Sequence, residues 1–182
     1  RNVDIVQLVN NNQIYGLTKG QASPTTARGQ TTSMQFEGTY TDPLNPLAVA
    51  IAAGATFVAR SFSGEKEHLK EIIKKAINHK GYALVDILDP CISFNKVNTF
   101  KWYKDRVYKL DENYNPKDKI KAFEKAQEFG DDGIPIGIIY LDETKKTYHE
   151  SHPVLQSGIN IIDKKREPEY AQKLLDKFLF ND

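Results

Sequence analysis

The chain alternates between apolar, β-branched stretches and stretches whose apolar residues recur at helical spacing. Val3-Asp4-Ile5-Val6-Gln7-Leu8-Val9 runs directly into three asparagines. That pattern predicts a buried strand ending at its carboxyl edge. Thr56 to Arg60 predicts a second strand, Tyr82 to Leu88 a third and Ile134 to Leu141 a fourth. Between them, Pro46 to Ala53 predicts a short helix with Asn45 as its N-cap and Pro46 in the first turn. Glu65 to His79 predicts a longer helix, with Leu69, Ile72, Ile73 and Ala76 on one face, Ser63 as its cap and Gly81 as its stop. Lys117 to Phe129 and an amphipathic segment from Pro168 to Phe180 complete the helices.

Strands separated by helices and loops indicate an α/β fold, with a mainly parallel sheet and flanking helices. The boundary is expected near residue 141, with 142–182 a charged extension that carries the last helix. In such sheets ligands bind beyond the carboxyl ends of the strands. Two polar stretches are expected there, Asn10 to Thr26 and Asp89 to Asn95. Residues 16–46, rich in Gly, Thr, Ser and Pro, predict no regular element, and a loop of that length in a compact domain usually has a function.

Composition narrows the partners. The 182 residues hold 25 Lys and Arg against 24 Asp and Glu, so there is no basic excess of the kind a nucleic-acid partner calls for. No apolar run approaches the length of a membrane span. One cysteine, Cys91, can form neither an internal disulfide nor a complete metal site. His68 and His79 lie eleven residues apart on one predicted helix, not at ligand-pair spacing, His149 and His152 fall in a polar turn-like segment, and no zinc site is assigned to any of them. The basic run Lys164-Lys165-Arg166 reads as solvated surface. Trp102, Tyr103 and Tyr108, interleaved with lysines, read as packing residues rather than a stacking platform for single strands.

Three consecutive asparagines offer hard oxygen ligands, and they also make an ordinary Asx-type turn. The wider string 11–26, Asn-Asn-Gln-Ile-Tyr-Gly-Leu-Thr-Lys-Gly-Gln-Ala-Ser-Pro-Thr-Thr, resembles the second half of the thiamine-diphosphate motif in the β subunit of 2-oxoacid:ferredoxin oxidoreductases, of the archaeal two-subunit type. The resemblance implies that the Asn12 side-chain oxygen and the Ile14 backbone carbonyl ligate Mg2+, which anchors the diphosphate. It places Leu17 and Thr18 beside the thiazolium ring, with Leu17 as an apolar wall reaching the substrate. It turns Lys19 toward the substrate pocket, where a cation attracts the carboxylate of a 2-oxoacid. Only Asn12 stands two residues before Ile14, so for cofactor retention Asn10 and Asn11 are expected to be more tolerant of replacement than Asn12.

A lone cysteine is often just a small buried hydrophobe. Pro90-Cys91-Ile92-Ser93-Phe94-Asn95 after a Val-Asp strand nevertheless resembles the same β subunits. There the cysteine is the distant fourth ligand of a 4Fe-4S cluster, which takes four thiolates. The Gly-Asp-Gly half of the cofactor motif and the other three cluster cysteines are then expected before Arg1, in an N-terminal part of the β subunit.

The resemblance implies that residues 1–141 are the C-terminal part of a thiamine-diphosphate-binding domain of a cytoplasmic enzyme. Its cofactors would be thiamine diphosphate, Mg2+ and one 4Fe-4S cluster. Its partners would be an α subunit, ferredoxin, coenzyme A and a 2-oxoacid such as pyruvate or 2-oxoglutarate, with no nucleic acid and no membrane. The reaction implied is oxidative decarboxylation to acyl-CoA and CO2. No catalytic base is assigned in this portion. Two alternatives are a non-redox thiamine enzyme, of the decarboxylase or transketolase kind, and an α/β binding domain whose loops are only turns.

Overall fold

A computed structural model describes residues 2–163 and 167–179. The basic run 164–166, Arg1 and Phe180 lie outside the described residues. The contacts divide the chain into two units, one ending at Thr147 and the other beginning at Tyr148.

The first unit is built on five strands: β1 (Ile5–Asn11), β2 (Phe57–Phe62), β3 (Tyr82–Leu88), β4 (Val107–Lys109) and β5 (Ile134–Leu141). Their order in the sheet is β1-β3-β2-β5-β4. β1 and β2 each pair parallel to β3, and β4 pairs parallel to β5. The two groups join through one antiparallel pairing, β2 with β5. The sheet is thus mainly parallel, and the carboxyl ends of β1, β2 and β3 emerge at one rim, where β4 and β5 begin.

Side-chain alternation sends the two faces of β3 into different cores. Leu84 joins Val58 and Ile139 under helices α1 (Pro46–Ala52) and α4 (Lys119–Gln127), which contribute Leu47, Ile51, Ala122 and Ala126. Ala83, Val85 and Ile87 pack with Phe57, Ala59 and the Ile72 and Ala76 side chains of α2 (Lys66–Asn78). At the carboxyl rim a third cluster joins Phe62, Leu88, Ile134 and Tyr103 of the short helix α3 (Phe100–Lys104).

Several expectations need correction. β1 is the edge of the sheet rather than a buried strand: of its residues only Asn11 is buried, and Ile5 and Leu8 are 52% and 46% exposed. Its apolar composition is met by β3 on one side only. The α2 cap is Glu65, with no side-chain hydrogen bond, not Ser63. Asn10 and Asn11 belong to β1 rather than to the following loop. Helix α3 and strand β4 have no counterpart in the sequence pattern; they are five and three residues long, too short to carry a period. In that segment Tyr103 is fully buried, as packing requires. Asn45 does cap α1, accepting from the Ala48 N–H at 3.0 Å, and Asp118 caps α4 in the same way.

The second unit comprises α5 (Tyr148–Ser151), two short 3-10 turns and α6 (Pro168–Leu179). Tyr170, Leu175, Phe178 and Leu179 of α6 are exposed.

Candidate functional site

The site begins where β1 ends. Asn11 is buried, and its Oδ1 accepts from the Gln13 N–H at 3.3 Å and from the Thr25 hydroxyl at 2.7 Å. The same side chain lies against Asp86 and helps hold that carboxyl's pKa down against burial, the larger effect, which pushes it up. Asn11 is therefore a structural anchor of the loop.

Gln13 follows with φ of 55°, a left-handed conformation that costs a non-glycine residue energy. Side-chain and backbone partners hold it there. Its Nε2 donates to the Thr25 carbonyl, its Oε1 accepts from the Tyr103 hydroxyl, and its own carbonyl accepts from the Thr26 hydroxyl. This turn places the Asn12 Oδ1 3.0 Å from the Ile14 N–H. An amide oxygen has two lone pairs, so the bond leaves one acceptor position on Asn12. Asn12 is half-buried and Ile14 is buried.

Beyond Ile14 the chain makes a small closed loop. The Tyr15 N–H donates to the Gln21 carbonyl at 2.8 Å, and the Gly20 N–H returns to the Tyr15 carbonyl at 3.0 Å. Leu17, Thr18 and Lys19 form the exposed tip, and Leu17 is 99% exposed. Lys19 takes φ of 66° to complete the turn. A fully solvated leucine on a hydrogen-bonded tip gains nothing from folding this unit.

A cleft of about 1030 Å3 opens beside these residues, of the size that holds small-molecule cofactors. Asn12, Ile14, Leu17 and Thr18 line it, and its apolar wall comes from Val9, Val49, Ala50, Ala53 and Leu84. Lys19 and Cys91 lie outside it.

The second polar stretch packs against the first. The Asp89 N–H donates to the Asn11 carbonyl at 3.0 Å, and the Asn95 Nδ2 donates to the Asn12 carbonyl at 3.0 Å. A methyl group placed on Gly16 would lie 3.4 Å from the Cys91 sulfur and 4.0 Å from the Asn12 Nδ2. Gly20 packs on Phe94, where a side chain would approach to 3.2 Å. Cys91 is a free, half-buried thiol. Among the described residues no group of three or more His, Cys, Asp and Glu side chains could hold a metal ion. His68 and His79 bond Ser61 and Thr56 instead.

Sequence reasoning missed Gln13, Thr25 and the Arg60–Asp86 pair as supports of the loop. Only an Arg within the apolar run of β2, with an Asp in that of β3, hinted at the last of these.

Comparison with known proteins follows the same two stretches. Residues 1–87 match the family model described as thiamine pyrophosphate enzyme, C-terminal TPP binding domain. Residues 91–157 match the C-terminal family model of the pyruvate ferredoxin oxidoreductase beta subunit. The chain is 47% identical over 161 residues to the beta subunit of 2-oxoacid:ferredoxin oxidoreductase 1 of Aeropyrum pernix, covering 82% of this chain and 50% of that one. It is equally similar to the beta subunit of the 2-oxoacid:ferredoxin oxidoreductase of Saccharolobus solfataricus, of which it covers 52%. Among solved structures, 2-oxoglutarate:ferredoxin oxidoreductase from Magnetococcus marinus, with 2-oxoglutarate, coenzyme A and succinyl-CoA bound, superposes with a TM-score of 0.84 at 32% identity. That match covers 95% of this chain and 58% of the other. The chain spans about half the length of the curated relatives it matches. Both family models and these identities agree: the chain belongs to the β subunits of the 2-oxoacid:ferredoxin oxidoreductases, which it matches through their C-terminal portion.

Proposed function

We propose that this chain supplies part of the cofactor-binding surface of a 2-oxoacid:ferredoxin oxidoreductase. The whole enzyme would convert a 2-oxoacid and coenzyme A to acyl-CoA and CO2, with electrons leaving through a 4Fe-4S cluster to ferredoxin. The observation that carries this reading is the joining of two loops at the carboxyl rim, through Asn95 and the Asn12 carbonyl and through Gly16 against Cys91. A non-redox thiamine enzyme has no use for a cysteine loop held against its metal loop.

The donor set fits the groups. Asn12 Oδ1, with a lone pair to spare, and the Ile14 carbonyl are hard oxygens of the kind Mg2+ takes, and Mg2+ commonly makes up its remaining ligands from phosphate and water. Thiamine diphosphate, when bound, supplies the electron sink for loss of CO2. Leu17 at the loop tip offers it an apolar wall and Thr18 a hydroxyl. Lys19, also at the tip, presents a cation to a substrate carboxylate. Cys91 offers one thiolate, and the cluster's other three come from residues other than those described. An α subunit would cover the exposed tip. An enzyme of this kind, drawing on coenzyme A and ferredoxin, works in the cytoplasm. No helix among the described residues is long and apolar enough to cross a membrane.

The test is reduction of ferredoxin by the full-length β polypeptide assembled with its α partner. Reduction that requires coenzyme A and either pyruvate or 2-oxoglutarate is the expected result. Assembled enzyme containing thiamine diphosphate and iron that reduces nothing with either substrate overturns the reading.

A further inference from the structure

Asn95 is 1% exposed, and its side chain is bonded in two directions. Its Oδ1 accepts from the Val97 N–H at 3.0 Å and the Asn98 N–H at 2.9 Å, closing the turn that follows Cys91. Its backbone N–H donates to the Cys91 carbonyl at 3.1 Å. The Nδ2 group also reaches out of this loop: it donates to the Asn12 carbonyl at 3.0 Å and, within the loop, to the Asn98 Oδ1 at 3.3 Å. The Gln30 amide adds a further long contact at 3.4 Å. One buried amide therefore shapes the cysteine loop with its oxygen and one donor hydrogen, and with the other holds the backbone of Asn12, a residue that lines the cleft.

We infer that Asn95 is a positioning residue, coupling the loop that carries Cys91 to the orientation of Asn12 and hence to binding of Mg2+ and thiamine diphosphate. This rests on the reading of Asn12 as a Mg2+ ligand. A carbonyl held by a buried donor fixes the peptide plane, and the Asn12 side chain departs from that plane. Groups behind metal ligands set ligand orientation, and their loss typically costs about 10–100-fold in metal affinity. Coupling of this kind is reciprocal: a disturbed cysteine loop weakens cofactor binding, and cofactor binding steadies the cysteine loop.

Asn95→Asp separates the two halves of the amide. It keeps an oxygen for the Val97 and Asn98 N–H groups but replaces the donor shared by the Asn12 carbonyl and the Asn98 Oδ1 with a second oxygen. In the full-length β polypeptide with its α partner, thiamine diphosphate is titrated calorimetrically at fixed Mg2+, and iron and sulfide are counted in parallel. The expected result is at least a tenfold loss of affinity with iron content retained. In an Asn12→Ala background, whose carbonyl remains but whose amide oxygen is gone, Asn95→Asp should change affinity less than twofold, because its effect travels through that oxygen. Unchanged affinity in the first background, or equal losses in both, overturns the inference. Should Asn95→Asp fail to assemble, Asn95→Ser keeps an acceptor and no donor that reaches Asn12. Failure of both variants to fold would mark Asn95 as a folding residue only and overturn the inference as well. If Asn12→Ala itself leaves affinity intact, the ligand reading has failed, and this inference falls with it. Loss with Asn12→Ala but none with Asn95→Asp condemns the coupling alone.

Discussion

Arg60 of β2 and Asp86 of β3 face each other in register inside the sheet, with Arg60 Nε 3.6 Å from Asp86 Oδ2 and both side chains at most 2% exposed. The guanidinium also donates to the Glu128 and Ala126 carbonyls, satisfying the end of α4. Asp86 in turn abuts Asn11, the anchor of the loop. Removing one partner strands the other charge in the core. Arg60→Met should therefore cost about 3–5 kcal/mol. The double variant Arg60→Met, Asp86→Leu should recover much of the loss. Urea denaturation midpoints decide, and a single variant as stable as the parent would show the pair to be dispensable.

Asn12→Ala removes the side-chain oxygen of a residue that lines the cleft and leaves the backbone bond to Asn95 in place. Affinity for Mg2+ and thiamine diphosphate in the assembled enzyme should fall at least about tenfold. Asn11→Ala is expected to act differently. It breaks the bonds to Gln13 and Thr25 and should lower the unfolding midpoint before any cofactor is added.

Lys19 sits at the exposed loop tip. If it meets a distal carboxylate, Lys19→Ala should raise KM for 2-oxoglutarate about tenfold and leave pyruvate nearly unchanged, since only the former carries a second carboxylate. Equal rises for both substrates would return the residue to a loop-stabilising role.

Cys91→Ser tests the cluster. Serine is a harder and poorer ligand for iron than thiolate. Iron and sulfide should fall in the full-length β polypeptide, and ferredoxin reduction with them. A variant with parental iron content and only a small drop in stability would identify Cys91 as a packing residue.

The histidines predict a pH dependence of stability. His79 Nε2 lies 2.8 Å from the Thr56 hydroxyl and His68 Nδ1 2.9 Å from the Ser61 hydroxyl, and burial lowers both pKa values from the ordinary 6.5. The unfolded chain takes up these protons first as pH falls. Stability should thus be complete above 6.5 and decline as pH drops from there through the folded-state values. Melting temperatures measured across that range should show a shallower decline for His79→Gln than for the parent.

How much of this was legible from residues alone varied with range. Tyr82–Leu88 and Ile134–Leu141 are strands at the expected bounds, because each is a mostly apolar run with glycine or proline near its start. The rank of β1 was not legible, since edge or centre depends on which strands lie beside it, and Val3–Val9 is as apolar as a central strand. The two polar stretches could be singled out one by one. Their meeting depends on the parallel pairing of β1 with β3, and no local pattern encodes that register. The structural part of Asn11 was not legible for the same reason: its partners, Thr25 and Asp86, are distant along the chain.

The left-handed Gln13 has a consequence for how a ligand would be received. Glycine could adopt φ of 55° freely, so a chain needing only the bend has no reason to place a glutamine there. Here the bend is enforced by Thr25, Thr26 and Tyr103 instead of being permitted by the backbone. The loop is therefore shaped during folding, and the entropy of ordering it is already lost before any ion arrives. Association with such a preformed cradle should have a small heat-capacity change, like docking onto a rigid surface and unlike coupled folding.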